Sequence, residues 1–275
     1  MAFADRARVL SVGSVTLLAA CQGAPAAAPP SPSAPASTGA TTASPAASSA
    51  SGPTFSFAAG KVVVLDPGHN GGNGRDPQAI NRLVPAGRGQ TKPCNTTGTA
   101  TNAGYAEHAF NWDVARLVGR TLADKGIHVV YTRADDAGNG PCVDERAMIG
   151  NRAGAAAVVS IHADGAESAG AHGFHVSYSS PPLNAEQGAP SISLATTLRD
   201  RLRAAGFGVS SYFGKDGLAP RSDLGGLNLS ERPTALVECG NMRDAGEAAL
   251  MSTSDGRQRY ADAIADGVFA YLSRT

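Results

Sequence analysis

Three apolar runs set the pattern of the chain. Val62 to Leu65 is continuously apolar and leads into Asp66-Pro67-Gly68-His69. Ala157 to Ile161, broken only by Ser160, leads into His162, and Thr234 to Val237 leads into Glu238. Runs of this kind read as strands of a parallel sheet covered on both faces. Pro67-Gly68 predicts a tight turn. It would present His69 at the carboxyl end of a strand, where open α/β sheets place their ligands. Taken alone, His69 reads equally well as a turn histidine facing solvent. Weaker runs at Ile127 to Thr132 and Gly173 to Tyr178 add two further strands.

Between the runs the apolar period changes to 3.6. Phe110, Val114, Leu117, Val118 and Thr121 mark a helix over Glu107 to Lys125 that Gly126 closes. Glu107 lies three and seven residues before Phe110 and Val114, so it belongs to the stripe that faces the sheet. His108 is rotated ~100° from it and reads as solvated. A carboxylate on a buried face needs a partner; a metal would serve, and so would the dipole at a helix start. Asp144 to Ala153, Ser191 to Ala205 and Tyr260 to Leu272 read as further helices. Strands alternating with helices predict an α/β fold, a single domain with a twisted, mostly parallel sheet flanked by helices. Asn73 to Tyr105 reads as one long loop, functional or pinned.

The ends of the chain change the picture of where the domain works. Arg6 and Arg8 precede the apolar segment Val9 to Ala20, which is too short to span a bilayer, so residues 1–21 read as a secretory signal. Leu18-Ala19-Ala20-Cys21 resembles the lipobox of bacterial lipoproteins, in which the cysteine is lipidated; ordinary cleavage after Ala19 suits the same residues. Residues 22–54 are almost only Ala, Pro, Ser, Thr and Gly and predict a disordered tether. Residues 55–275 are left as the folded domain. The chain holds 23 basic and 23 acidic residues and no basic block, which excludes nucleic acid as a partner. A lipid on Cys21 is then the one membrane attachment predicted. In an exported, oxidising setting, Cys94 and Cys142, each after a proline in a glycine-rich loop, predict a disulfide. Cys239 lies within an apolar run and reads as a small buried side chain.

His69, His162 and Glu238 thus end strands and Glu107 begins a helix. Parallel strands would bring all four to one edge. Two histidines and a glutamate, with water in the fourth position, form a known catalytic zinc set, and a separate carboxylate would move the proton. Four blocks carry a resemblance. They are Leu65-Asp66-Pro67-Gly68-His69, Glu107 ahead of Asn111-Trp112-Asp113-Val114-Ala115-Arg116-Leu117, Val159-Ser160-Ile161-His162-Ala163, and Pro233-Thr234-Ala235-Leu236-Val237-Glu238. In this order they resemble the signature of the zinc-dependent N-acetylmuramoyl-L-alanine amidases of type 3, over roughly Lys61 to Leu272.

The resemblance implies one Zn2+ held by His69, Glu107 and His162, with Glu238 as catalytic acid/base. The implied substrate is peptidoglycan or a muropeptide, cut between N-acetylmuramic acid and L-alanine by a monomer in the periplasm or cell wall. Asp164 departs from the family, which commonly has Asn there. Asp164, His175 and Arg133 are candidates for substrate contact or for supporting the ligands, and for Asp164 and Arg133 a structural salt bridge or turn is as good a reading. The glycines after His69 are expected to keep bulk away from the metal. Two other functions fit the same residues: a zinc peptidase cutting within the wall peptide, and a non-catalytic wall-binding lipoprotein.

Overall fold

In the computed structural model, which describes residues 58–275, the first apolar run forms β1 (Val62–Pro67). The signal-like segment, Cys21 and the tether lie outside the described residues. β1 lies second from the edge of a six-stranded sheet, between the edge strand β4 (His128–Tyr131) and β5 (Ala157–Asp164), both parallel to it. Beyond β5 lie β8 (Thr234–Asn241), β6 (His175–Ser179) and β7 (Leu218–Arg221). One pairing, β6 with β8, is antiparallel, so the mostly parallel sheet expected from the sequence is present. Helices flank it, as expected.

Alternation along the strands divides the sheet into two faces. Leu65, Val159, Ile161, Ala235, Val237, Phe174 and Val176 face a core that contains α2 (Glu107–Asp124), α4 (Ala189–Ala204) and α7 (Ser254–Leu272). Phe110, Val114, Val118 and Leu122 of α2 are fully buried there, each contributing about 1.5–3 kcal/mol relative to exposure. The intervening residues, Asp66, Ser160, His162, Glu238 and His175, belong to the opposite face, under α3 (Val143–Arg152) and the short α5 (Gly225–Asn228). Chemistry and core are therefore separated by the pleat. After His162 pairs with Glu238, Asp164 pairs with Asn241, so β8 carries one extra residue. Such bulges re-aim side chains near functional sites.

The stretch from Asn73 to Tyr105 is not one structureless loop. It contains α1 (Pro77–Asn81), capped by the Asp76 side chain, and a hairpin of β2 (Leu83–Pro85) with β3 (Thr91–Pro93). These elements rest on local capping and backbone pairing rather than on apolar periodicity. α6 (Ala245–Met251) likewise follows β8 without a periodic signal. The stretch is pinned as expected: Cys94 is bonded to Cys142 just before α3. Cys239 is free and buried.

The bridge spans 48 residues, and loop-closure entropy assigns it about 4 kcal/mol. A Cys94→Ser/Cys142→Ser variant is therefore expected to melt roughly 10 °C lower in a calorimetric scan. An unchanged Tm would contradict that role.

Candidate metal centre

The chain turns sharply after β1, and His69 takes a left-handed backbone conformation, φ 58°. Non-glycine residues there are strained and cluster at functional sites. Gly68 makes the turn possible. The His162 ring lies directly against it, and a Cβ would come within 2.1 Å of the ring carbon Cε1. Two buried arginines clamp the turn. Arg146 donates to the carbonyls of Pro67, His69 and Pro141 and to the side chains of Asp66 and Asn70. Arg133 donates to the carbonyls of Pro67, Gly68, His108 and Asp135 and to Asp136.

The two histidines meet on one buried carboxylate. His69 Nδ1–H donates to the Thr96 carbonyl at 3.0 Å, which leaves Nε2 3.2 Å from Glu107 Oε1. His162 Nδ1 lies 3.0 Å from the same oxygen. Glu107 is 4% exposed. The backbone N–H of Thr99 donates to its Oε2 at 2.9 Å, and Ala163 N–H and Asn111 Nδ2 approach Oε1 at 3.3 Å. Burial alone would raise the Glu107 pKa, but the charge of His69 and the hydrogen bonds from both histidines hold it well below the usual range. Burial likewise pushes His69 down, and the Glu107 carboxylate more than reverses it. His69, Glu107 and His162 place their ligand atoms within 4.8 Å of one another; among the described residues no other histidine, cysteine and carboxylate group does so.

Glu238 is the register partner of His162 on the adjacent parallel strand, so both side chains project to the same face. Its Oε2 is buried without a partner. Burial, then the charges of Glu107 and Asp164, raise its pKa well above the carboxylate range, with Arg221 opposing. One cleft of ≈330 Å³ exposes His69, Glu107, His162, Asp164 and Glu238 together. Behind His69 and His162 lies a second cavity of ≈190 Å³ with apolar walls from Ala147, Val158, Leu227 and Leu236.

The other predicted residues fall in different places. Asp164 lines the cleft and accepts from the Tyr212 hydroxyl at 3.0 Å. His175 is buried beside Glu238 across the β6–β8 pair. Arg133 is buried and all its N–H groups are engaged in the clamp. His108 is half-buried rather than solvated, with Nδ1 2.7 Å from Asp136 Oδ2. The glycines after His69 do not guard the cluster: Gly71 and Gly72 lie against the carbonyls of Asp136 and Gly138. Gly98 does so instead, since a Cβ there would reach Glu107 Oε2 at 2.7 Å and His69 Cδ2 at 2.9 Å. Sequence reading missed Gly98, Thr96, Thr99 and Arg146. Asn111, one turn after Glu107 on the same stripe, was within its reach.

A layered α/β sheet that collects acids and imidazoles at its strand ends defines a hydrolase centre. The chain belongs to the Amidase_3 family, N-acetylmuramoyl-L-alanine amidase, whose model matches residues 63–270. It is 48% identical over 215 residues to the N-acetylmuramoyl-L-alanine amidase Rv3717 of Mycobacterium tuberculosis, covering 78% of this chain and 88% of that protein. Among solved structures, the amidase Ami1 of Mycobacterium smegmatis superposes with a TM-score of 0.77 at 50% identity, covering 80% of this chain and all of that one. The apo form of Ami1 from Mycobacterium abscessus gives 0.75 at 52% identity over 78% of this chain and 99% of that one. The amidase family expected from the four blocks is therefore the one found.

Under the centre, Asp66 accepts from Arg146, Thr132 and Ser160 at 2.6–2.7 Å. Burial opposes its ionisation, yet these partners hold its pKa at about 2 rather than 3.8. A depressed carboxyl stabilises the fold above its unfolded pKa and loses that contribution as pH falls toward the folded value. Urea unfolding should therefore lose about 2 kcal/mol between pH 5 and pH 2 in the wild type through Asp66, and Asp66→Asn should lack that component. Parallel pH profiles for the two proteins would count against it.

Proposed function

We propose that this protein is a zinc-dependent N-acetylmuramoyl-L-alanine amidase that acts on peptidoglycan. The observation carrying this reading is the convergence of His69, Glu107 and His162 with Glu238 on the neighbouring strand. The donor set fits zinc. The N···O spacings of 3.0 and 3.2 Å are close to the ~3.3 Å edge of a tetrahedron with bonds of ~2.0–2.1 Å. The Thr96 carbonyl fixes the His69 tautomer and leaves Nε2 free for a cation, a common arrangement for ligating histidines. When bound, zinc supplies Lewis acidity, lowering the pKa of water toward ~7 and polarising an amide carbonyl.

The remaining chemistry belongs to Glu238. Burial raises its pKa, which suits a base that must also act as an acid. Glu238 takes a proton from water as the water oxygen bonds to the muramoyl carbonyl carbon. The same carboxyl returns that proton to the alanine nitrogen as the C–N bond breaks, leaving a carboxylic acid and a free amine. The names carried by the family and by the relatives at 48–52% identity support this choice of bond. The open cleft suits a polymer, and the apolar cavity behind it suits a small group next to the scissile amide.

The site of action we infer is the periplasm or cell wall, reached through the signal in residues 1–21. A lipid on Cys21 would tether the monomer to the outer face of the cytoplasmic membrane, with residues 22–54 as its reach. Among the described residues no helix is long and apolar enough to cross a membrane.

Zinc-loaded protein given a muramoyl pentapeptide should release a peptide with a free N-terminal alanine, identified by mass spectrometry. Shortened stem peptides, or binding without product, would overturn the reading. Glu238→Gln should retain stoichiometric zinc and lose at least about 100-fold in kcat, whereas His69→Ala should lose the metal.

A further inference from the structure

His175 has no part in the chemistry above, yet it stands next to it. It is the register partner of Glu238 across the antiparallel β6–β8 pair. Residues directly opposite in such a pair share a face, with Cβ atoms ~4.5–5.5 Å apart. His162, Glu238 and His175 therefore form a row across three adjacent strands. His175 is 1% exposed.

Two atoms of that row are orphans. His175 Nδ1 and Glu238 Oε2 are both buried, and neither has a hydrogen-bond partner. Buried polar atoms without partners are rare and call for an explanation. A histidine that only filled space here would be better replaced by an apolar side chain, because the surroundings are aromatic. The imidazole packs against Phe213 at 5.1 Å and edge-on to Tyr212 at 6.2 Å between ring centroids. The Tyr212 hydroxyl does not serve it, since that group donates to Asp164.

We propose that His175 is the positioning residue for Glu238, with its Nδ1–H donating to Glu238 Oε2 and turning the other carboxylate oxygen toward the cleft. The inference rests on Glu238 being the acid/base. Such a bond would satisfy both orphans at once. Burial holds the imidazole neutral, with its pKa lowered to about 4; Asp164 opposes this and Arg221 adds to it. A neutral donor orients a carboxylate without the electrostatic cost to its basicity that a lysine or arginine would impose. Asp164, Glu107 and Arg221 are the charged groups that bear on Glu238 from the neighbouring elements, and none of them bonds to its Oε2.

Kinetics and NMR on the zinc-loaded protein test the proposal. His175→Leu should lower kcat by about 10–100-fold with KM and zinc stoichiometry unchanged, and His175→Gln, which keeps an N–H donor, should recover much of the loss. A leucine variant with wild-type kcat, or equal loss in both variants, would overturn it. The second readout does not depend on how the His175 variants fold. In protein labelled with 15N-histidine, His175 Nδ1 should carry the proton, and its resonance should shift when Glu238→Ala removes the acceptor. An unprotonated Nδ1, or a resonance indifferent to Glu238→Ala, would also overturn it. If Glu238→Gln kept full activity, the acid/base reading would fail instead, and the NMR result would still report on the hydrogen bond.

Discussion

A carboxylate inside a protein costs several kcal/mol unless it is paired and hydrogen-bonded, and the buried Glu107 imposes that condition on everything around it. The first turn of α2 places it on the apolar stripe, where the helix dipole favours a negative charge. Its Oε2 is met by backbone, from Thr99 N–H in the loop after the disulfide. Its Oε1 is met by two imidazoles, with Ala163 N–H on β5 also approaching it. The loop from Cys94 to Thr99 thus supplies the carbonyl that aims His69, the amide that caps Glu107 and the glycine that clears room between them. Its anchoring at Cys94 is what lets three residues from distant parts of the chain keep one geometry.

The sheet separates stability from chemistry by alternation alone. Every second residue of β1, β5, β6 and β8 enters the core under α2, α4 and α7. The residues between them build a polar row from Asp66 through Ser160 and His162 to Glu238 and His175. A polar row beneath helices is unstable unless each member is bonded, and the chain meets this with paired devices: Asp66 with Arg146, and the Arg133 and Arg146 clamps on either side of the turn. Glu238 and His175 are left with unmatched atoms, at the place where a proton must change hands.

Much of this was legible in the sequence because it rests on local pattern. His69, His162 and Glu238 follow apolar runs, and the parallel sheet brings strand ends to one edge. Glu107 stood out as a carboxylate in register with Phe110 and Val114. The Cys94–Cys142 bridge followed from two loop cysteines and one buried one. What escaped depends on distance through space. The hairpin of β2 and β3 has strands of three residues, too short to show alternation. The role of Gly98 depends on where Glu107 and His69 meet, and those of Gly71 and Gly72 on a loop more than sixty residues away. Arg133 read from the sequence equally as a substrate contact or a structural salt bridge, and its bonds to Asp136 and to four backbone carbonyls are of the second kind.

The central claim is that His69, Glu107 and His162 hold one zinc ion. X-ray absorption spectroscopy at the zinc edge of the loaded protein tests it most directly. The account predicts a four-coordinate site with two imidazole nitrogens and oxygen ligands at ~2.0–2.2 Å. A sulfur scatterer at ~2.3 Å, or a six-coordinate shell of oxygen alone, would contradict it.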